Sequence, residues 1–291
     1  MLIVSADSAR WPISFNPASM LRQRIKLVFI FLPIILVVVW LGGWAYAAGV
    51  ALVLVLAGVE FGRMFMGSRR KPAIPLIAAG AAIYPLARHT FGFDSTPVVL
   101  ATALAASLLW HMIDFENGAE GSGTDFAVTA IGIIYLGWLG AYLVSLRDLP
   151  HGQWWVLLAL PSVWLADIGA YFVGSKFGRR RLSPRISPNK SVEGYLSGIL
   201  LATIGGGLLA WLWGQLGDFS QVMTFGTGAA LGAILSFLAP LGDLGISMFK
   251  RELGVKDTGT MLGPHGGALD RMDTWFWTGL IGYYFALLVT A

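Results

Sequence analysis

The stretch covering residues 27–59 contains no charged side chain, and it constrains the fold of this chain more than any other feature. A membrane-spanning helix needs about 20 mostly apolar residues, so the stretch is too long for a single span. The pair Gly42-Gly43 marks a break inside it, because glycine is a poor helix former. The sequence therefore predicts two consecutive spanning helices, over 27–41 and 44–61.

The composition extends this expectation to the whole chain. Hydrophobic residues make up 56% of the sequence and charged residues 12%, with a mean hydropathy of +0.70, whereas a soluble domain carries about twice that charged fraction. The absence of cysteine excludes disulfides, thiolate metal sites and a cysteine nucleophile. The remaining apolar stretches predict further spans over 72–87, 96–113, 126–146, 153–174, 195–216, 222–246 and 274–290.

Together these spans predict an all-α polytopic integral membrane protein with about nine transmembrane helices. We expect an N-terminal cytoplasmic segment at 1–26, of which 1–19 is an extension before a second candidate start at Met20. N-terminal transmembrane helices follow over 27–150. A C-terminal transmembrane region occupies 151–291, with its longer loops at the cytoplasmic face.

The basic residues agree with this count, because loops rich in Lys and Arg stay in the cytoplasm. With two exceptions they fall within four segments, 10–26, 63–71, 176–190 and 250–271. The exceptions are Arg88 and Arg147. An even number of predicted spans separates each segment from the next, so all four lie on one side. The sequence thus predicts a cytoplasmic N-terminus and an external C-terminus.

Two of the cytoplasmic loops carry candidate chemistry, and the first covers residues 175–194. Ser187, Asn189 and Ser191 surround Lys190 immediately before a predicted span. Hydroxyl, amide and ammonium groups at a helix N-terminus can hold a phosphate. The alternative is a basic anchor that contacts anionic lipid headgroups.

The second loop covers residues 247–273 and contains charges of both signs. Carboxylates hold Mg²⁺, and Lys and Arg neutralise phosphate oxygens, so such a loop suits a metal–polyphosphate site. Gly266 and Gly267 let backbone amides approach an anion. Asp270 and Asp273 share one face if a helix begins near Leu269. A solvated linker with incidental ion pairs is the alternative.

Ionisable residues inside the spans are few and therefore informative. Asp167 lies within one predicted span, and Asp243 lies near the cytoplasmic end of another. Both are placed to meet the second loop at the inner membrane face. Glu60 has Arg63 three residues later, and a structural ion pair between them explains it at least as well as a functional role.

The second loop resembles the signature of the phosphatidate cytidylyltransferases, also called CDP-diacylglycerol synthases. The matching positions are, in order, Ser247-x-Phe249-Lys250-Arg251, Lys256-Asp257-x-Gly259 and His265-Gly266-Gly267-x-x-Asp270-Arg271-x-Asp273. The stretches 167–171 and 187–194 are also similar to that family. Asn189, Ser191 and Ala268 depart from its commoner residues, which are Lys, Thr and a larger aliphatic side chain. The missing cation at Asn189 is expected to weaken nucleotide or lipid binding.

The resemblance implies an enzyme that converts CTP and phosphatidic acid to CDP-diacylglycerol and pyrophosphate in phospholipid biosynthesis. It implies Mg²⁺ as cofactor, K⁺ as a second cation, and Asp243, Asp270 and Asp273 as metal ligands. It makes the C-terminal transmembrane region, 151–291, the expected catalytic region, with its active-site loops at the cytoplasmic face. The residues it assigns to catalysis are Asp243, Lys256, His265, Asp270 and Arg271. The residues it assigns to substrate binding are Asp167, Ser187, Asn189, Lys190, Lys250, Arg251, Asp257, Gly266 and Gly267.

The expected partners are CTP, phosphatidic acid and membrane lipids, with no nucleic acid, and a homodimer is compatible with them. The expected location is the bacterial cytoplasmic (inner) membrane. Three alternatives stay open: CTP-dependent activation of a different lipid phosphate, an inactive paralogue, and an anion transporter that uses Asp167 and Asp243 for coupling. A CDP-alcohol phosphotransferase is disfavoured because its Asp-Gly-x-x-Ala-Arg run is missing.

Overall fold

The computed structural model describes residues 32–259 and 266–291, which are mainly helical. The helices in chain order are α1 (Leu32–Leu41), α2 (Gly43–Met66), α3 (Ile74–Phe91), α4 (Ser95–Glu116), α5 (Ser122–Gly132), α6 (Tyr142–Asp148), α7 (Gly152–Phe177), α8 (Val192–Leu216), α9 (Phe225–Leu238), α10 (Pro240–Glu252), α11 (Leu269–Met272) and α12 (Trp275–Thr290). A 3₁₀ turn, Gly92–Asp94, joins α3 to α4, and a π-helical segment, Ile133–Trp138, follows α5.

A short antiparallel hairpin lies between α7 and α8. Its strands are β1 (Arg181–Ser183) and β2 (Ser187–Ser191), with Arg181 opposite Ser191 and Ser183 opposite Ser187. The first of the two predicted loops therefore has regular structure. Because β2 runs directly into α8, the hairpin fixes where that helix begins.

The predicted break in the long uncharged stretch is confirmed. Helix α1 ends at Leu41 and α2 begins at Gly43. Gly42 between them has a φ of 64°, a left-handed conformation that glycine adopts without a steric penalty. Arg147 closes the end of α1, since its Nε donates to the carbonyl oxygen of Val39 at 2.6 Å.

Six segments of the described residues are long and apolar enough to cross a membrane. They are Gly43–Met66, Ile74–Glu116, Ser122–Asp148, Gly152–Phe177, Val192–Leu216 and Phe225–Glu252. The predicted span 96–113 and all but the first two residues of the predicted span 72–87 fall within one of these segments, Ile74–Glu116, which contains both α3 and α4. The structure confirms an all-α polytopic membrane protein.

The count of nine spans stays a prediction. Helix α12, which matches the predicted span 274–290, has 16 residues, fewer than the roughly 20 that cross the hydrocarbon core of a bilayer. The start of the first predicted span and the predicted segment 1–26 lie outside the described residues. The division of the chain at residue 150 is likewise untested.

Glycines bring neighbouring helices into close contact, as small residues commonly do in membrane proteins. A Cβ atom at Gly198 of α8 would lie 2.6 Å from the carbonyl oxygen of Ala166 in α7. A Cβ atom at Gly206 would lie 2.7 Å from the carbonyl oxygen of Gly228 in α9. The small residues therefore let the backbones of α7, α8 and α9 come into direct contact.

The hydrophobic core combines helices from both ends of the chain. Phe61 of α2, Trp155 of α7 and Phe276 of α12 are all fully buried in it. Helix α2 also contacts α11, the short helix that carries Asp270. The packing thus places part of the second predicted loop against an N-terminal helix.

Candidate active site

The end of the hairpin is held by side chains at the start of α8. Ser191 is the N-cap, and its hydroxyl accepts a hydrogen bond from the Gly194 amide at 3.2 Å. The Glu193 carboxylate accepts hydrogen bonds from the backbone amides of Arg179 at 3.0 Å and Arg180 at 3.2 Å. These contacts fix β2 at its C-terminal end, next to Lys190.

Helix α10 presents two charged residues, Asp243 and Lys250, that lie seven positions apart. Two helical turns separate them, so they lie on nearly the same face. The Asp243 carboxylate forms an ion pair with Lys190 of β2. The Lys250 ammonium donates to Oδ1 of Asp270 in α11 at 2.7 Å. One helix face therefore joins both predicted loops.

The Asp270 carboxylate is surrounded by hydrogen-bond donors. Besides Lys250 at Oδ1, its Oδ2 accepts from the Thr258 amide at 2.9 Å, the Thr258 hydroxyl at 3.0 Å and the Gly267 amide at 3.2 Å. Burial alone would raise the pKa of Asp270, but the hydrogen bond from Lys250 and those from the two backbone amides outweigh it and lower the pKa. Asp270 is therefore an ionised carboxylate with a fixed orientation.

Asp273 follows α11 and is more deeply buried than Asp270. Its Oδ1 accepts from the Thr274 amide at 2.7 Å. Burial raises the pKa of Asp273 to about 7, against the opposing effects of the Thr274 amide, Lys190 and Lys250. Asp167 of α7 lies near enough to Lys190 and Asp273 to interact with them electrostatically. Charges from α7, β2, α10 and α11 thus converge on one site.

The predicted metal ligands do not form a compact cluster. Within residues 32–259 and 266–291, no group of three or more His, Asp or Glu side chains is arranged to hold a metal ion. Asp243 and Asp270 each face a lysine instead. The oxygen donors suit a hard cation such as Mg²⁺, and the two lysines neutralise part of their charge.

Nearly the whole chain matches one known protein family. The sequence profile of the cytidylyltransferase family matches residues 22–289, which is nearly the whole chain. The chain belongs to this family.

Several relatives within the cytidylyltransferase family are similar over most of their length. The phosphatidate cytidylyltransferase of Synechocystis sp. is 30% identical, with 92% of this chain and 97% of the relative covered. The protein of the same name from Pseudomonas aeruginosa is 33% identical, with coverage of 94% and 98%. That from Thermotoga maritima is 32% identical, with coverage of 80% and 84%.

The structure gathers some of the site residues expected of a cytidylyltransferase. Lys190, Asp243, Lys250 and Asp270 form two lysine–aspartate pairs. Asp167 and Asp273 lie beside them. The predicted start of a helix near Leu269 is confirmed, since α11 begins there.

Arg251 connects α10 to the hairpin. Its Nε donates to the carbonyl oxygen of Ile186 at 3.0 Å. A cavity of about 500 Å³ lies between them, lined by residues 182–186 of the hairpin and by Met248, Arg251 and Glu252. Ser187, at the start of β2, contributes to the hairpin by pairing with Ser183.

Five other predicted residues are either exposed or outside the described chain. The side chains of Asn189, Lys256, Asp257 and Arg271 are exposed. His265 lies outside the described residues. For these five positions the predicted roles stay predictions.

The sequence predicted that Gly266 and Gly267 let backbone amides approach an anion. The structure indicates a different reason for glycine at each position. Gly266 has a φ of 80°, which favours glycine. The Gly267 amide donates to Asp270, so it orders a carboxylate in this structure. A Cβ atom at Gly267 would collide with the Thr258 hydroxyl and the Glu60 carboxylate.

The sequence interpretation of Glu60 as the partner of Arg63 is wrong. Among the described residues no ion pair joins them, and Arg63 is exposed whereas Glu60 is only 2% exposed. Glu60 Oε2 accepts instead from the Leu269 amide at 2.9 Å. The available signal was a carboxylate within an apolar span, which generally marks a functional position.

Proposed function

We propose that this protein is a phosphatidate cytidylyltransferase, which transfers the cytidylyl group of CTP to phosphatidic acid in phospholipid biosynthesis. The products are CDP-diacylglycerol and pyrophosphate. The proposal is supported by similarity to phosphatidate cytidylyltransferases over most of the chain. The observation that carries it is Asp270, which lies in the family-like motif and is held by Lys250, Thr258 and Gly267.

The reaction needs little acid–base chemistry from the protein. An ionised oxygen of the lipid phosphate attacks the α-phosphorus of CTP, an oxygen–phosphorus bond forms there, and the bond to the departing pyrophosphate breaks. Catalysis then depends on positioning the phosphates and neutralising their negative charge. A site with several lysines and carboxylates in a fixed arrangement is suited to both tasks.

The paired lysines have defined parts in this scheme. Lys190 and Lys250 are held in place by Asp243 and Asp270, so their charges are ordered before a substrate arrives. An ordered cation loses less side-chain entropy when it binds a phosphate than a mobile one. The exposed cations Lys256 and Arg271 extend the positive charge toward the solvent side and are assigned to the triphosphate.

Mg²⁺ belongs to the same proposal, with Asp243, Asp270 and Asp273 as the residues that would hold it. Their carboxylate oxygens are the ligand type that this ion prefers. When bound, Mg²⁺ would neutralise phosphate oxygens of CTP. K⁺ as a second cation is part of the proposal and is tested by omitting each cation in turn.

The location also follows from charge. The chain is an integral membrane protein, and the hairpin connects two of its long apolar helices, Gly152–Phe177 and Val192–Leu216. The basic segments 176–190 and 250–271 favour the cytoplasmic side of a bacterial inner membrane, with the N-terminus on that side. A homodimer stays a prediction.

Pyrophosphate release from purified protein in detergent–lipid micelles tests the reaction. The assay supplies phosphatidic acid, Mg²⁺ and K⁺, and each of the four ribonucleotides in turn. We expect release with CTP alone, and only when phosphatidic acid is present. Release without the lipid, or silence with all four nucleotides from folded protein, contradicts the proposal. Activity with a different lipid phosphate would reassign the acceptor, and silence there too would favour an inactive paralogue or a transporter.

A further inference from the structure

Glu60 of α2 is a buried carboxylate far in sequence from the motif it contacts. It lies inside an apolar helix and is 2% exposed. Its Oε2 accepts a hydrogen bond from the Leu269 amide, the first residue of α11, at 2.9 Å. Burying a carboxylate is costly unless it is hydrogen-bonded. The packing of α2 alone would not require a carboxylate at this position, so the contact with Leu269 points to a further role.

Two described glycines before α11, Gly259 and Gly267, lie close to the Glu60 side chain. A Cβ atom at Gly259 would lie 2.7 Å from Glu60 Oε1 and 2.9 Å from its Cδ. A Cβ atom at Gly267 would collide with Glu60 Oε2. Two glycines on either side of the undescribed segment 260–265 thus make room for one carboxylate.

Thr258 connects Glu60 to Asp270. The Thr258 hydroxyl lies 3.0 Å from Asp270 Oδ2 and 3.4 Å from Glu60 Oε2, and its single proton can be donated to only one of them at a time. The Thr258 amide also donates to Asp270, at 2.9 Å. The two carboxylates therefore share a neighbour, Thr258. This residue helps to orient Asp270 together with Lys250 and Gly267.

We infer that Glu60 is a positioning residue, which fixes the Thr258 and Leu269 ends of the loop so that Asp270 keeps its orientation for cytidylyl transfer. The inference rests on the proposed function. It assigns to the N-terminal half of the chain a part in ordering the site, although the family-like motif lies entirely in the C-terminal half. Glu60 itself contacts no described charged side chain of the site, so it acts through Thr258 and the Leu269 amide.

The first test compares Glu60→Ala with Glu60→Gln. Alanine removes the acceptor, and we expect turnover to fall by about 10- to 100-fold, the usual loss when a supporting hydrogen-bond partner is removed. Glutamine keeps an oxygen that can accept from the Leu269 amide, so turnover should stay within about threefold of wild type. Equal damage in both variants would overturn the inference.

A control separates positioning from a general loss of stability. Leu54 is fully buried in the same helix and packs beside Gly140, away from the loop. Leu54→Ala should lower the Tm at least as much as Glu60→Ala while leaving turnover near wild type. If turnover falls in proportion to Tm in both variants, Glu60 has only a structural role.

Hydrogen exchange gives a second measurement that needs no enzyme activity. In Glu60→Ala the peptide that covers residues 266–272 should exchange faster, because the Leu269 amide loses its acceptor, while Leu54→Ala should leave it unchanged. Unchanged exchange in Glu60→Ala would overturn the inference. Wild-type protein that makes no product would instead refute the proposed function, and the exchange result would still decide the role of Glu60.

Gly259→Ala tests the contact from the other side. The backbone at Gly259 lies outside the left-handed region, and the nearest atoms to a Cβ there all belong to Glu60. We expect Gly259→Ala to reduce turnover, and Glu60→Ala with Gly259→Ala together to reduce it no more than Glu60→Ala alone. Losses that multiply would show that the two residues act independently and would contradict the inference.

Discussion

The site contains two lysine–aspartate pairs of the same chemistry in different surroundings. In the Lys250–Asp270 pair the side chains are 12% and 13% exposed, and Asp270 accepts hydrogen bonds from Thr258 and Gly267 as well. In the Lys190–Asp243 pair the side chains are 38% and 24% exposed, and β2 contributes the lysine.

The difference shows how one site can contain both a rigidly held ion pair and an ion pair that a substrate can reach. The Lys250–Asp270 pair is largely buried. Glu60 of α2 accepts a hydrogen bond from the amide of Leu269, the residue before Asp270. The Lys190 side is more open, so a substrate phosphate can reach its ammonium group more easily. We therefore expect the Asp270 side to determine turnover and stability, and the hairpin side to influence substrate binding.

Asp270→Asn should have the largest effect. The amide keeps the size of the carboxylate but loses its charge and turns an NH₂ group toward donors, so we expect turnover to fall by about 100-fold or more. Pyrophosphate release measures the loss. The variant should elute as wild type in detergent, with a Tm that falls no further than that of Lys250→Met, and near-normal turnover would show that the comparison assigns the wrong residue.

Lys250→Met and Lys190→Met compare the two pairs directly. Losing Lys250 leaves a largely buried carboxylate without its cation, at a cost of about 1–3 kcal/mol, whereas a partly exposed pair contributes about 0–1 kcal/mol. The Tm should therefore fall clearly in Lys250→Met and little in Lys190→Met. Thermal unfolding of both proteins in the same detergent measures this, and equal shifts would remove the distinction between the pairs.

Lys256→Ala should have a smaller effect that is confined to binding. The side chain is exposed, so its interaction with the triphosphate is worth about 1 kcal/mol or less, which raises the KM for CTP by about two- to fivefold. Initial rates at varied CTP give the value. Lys176→Ala is the matched control, because Lys176 is also an exposed cation but lies at the end of α7, outside the paired charges.

Asn189→Lys should have the smallest effect and the opposite sign. It restores the cation that the commoner form of the family has at this exposed position, beside Lys190. We expect the KM for CTP or for phosphatidic acid to fall by about twofold. Kinetics with each substrate varied in turn would reveal it, and a KM that rises for both would show that the position does not face a phosphate.

The sequence predicted the helices well because apolar length and glycine breaks are local signals. The predicted span 195–216 corresponds to Val192–Leu216, and 153–174 to Gly152–Phe177. Helix α12 also lies where a span was expected, although it is short. The local sequence of each segment was sufficient to predict these helices.

The contacts of the site were harder to predict because they join distant segments. Glu60 and Leu269 are 209 residues apart, and no periodicity connects them. Arg63 lies three residues after Glu60, so the sequence suggested an ion pair between them that the structure does not contain among the described residues. The motif identified Asp270 and Lys250 separately, but their pairing depends on how α10 and α11 pack.

Transfer of label from CTP to lipid tests the central claim most directly. Wild type and Asp270→Asn would be incubated with phosphatidic acid and CTP labelled at the α-phosphate, and the organic-soluble product would be counted. The account predicts label in the lipid fraction for wild type and almost none for Asp270→Asn at equal amounts of folded protein. Label that stays in the aqueous phase for wild type, or equal transfer by both proteins, would contradict it.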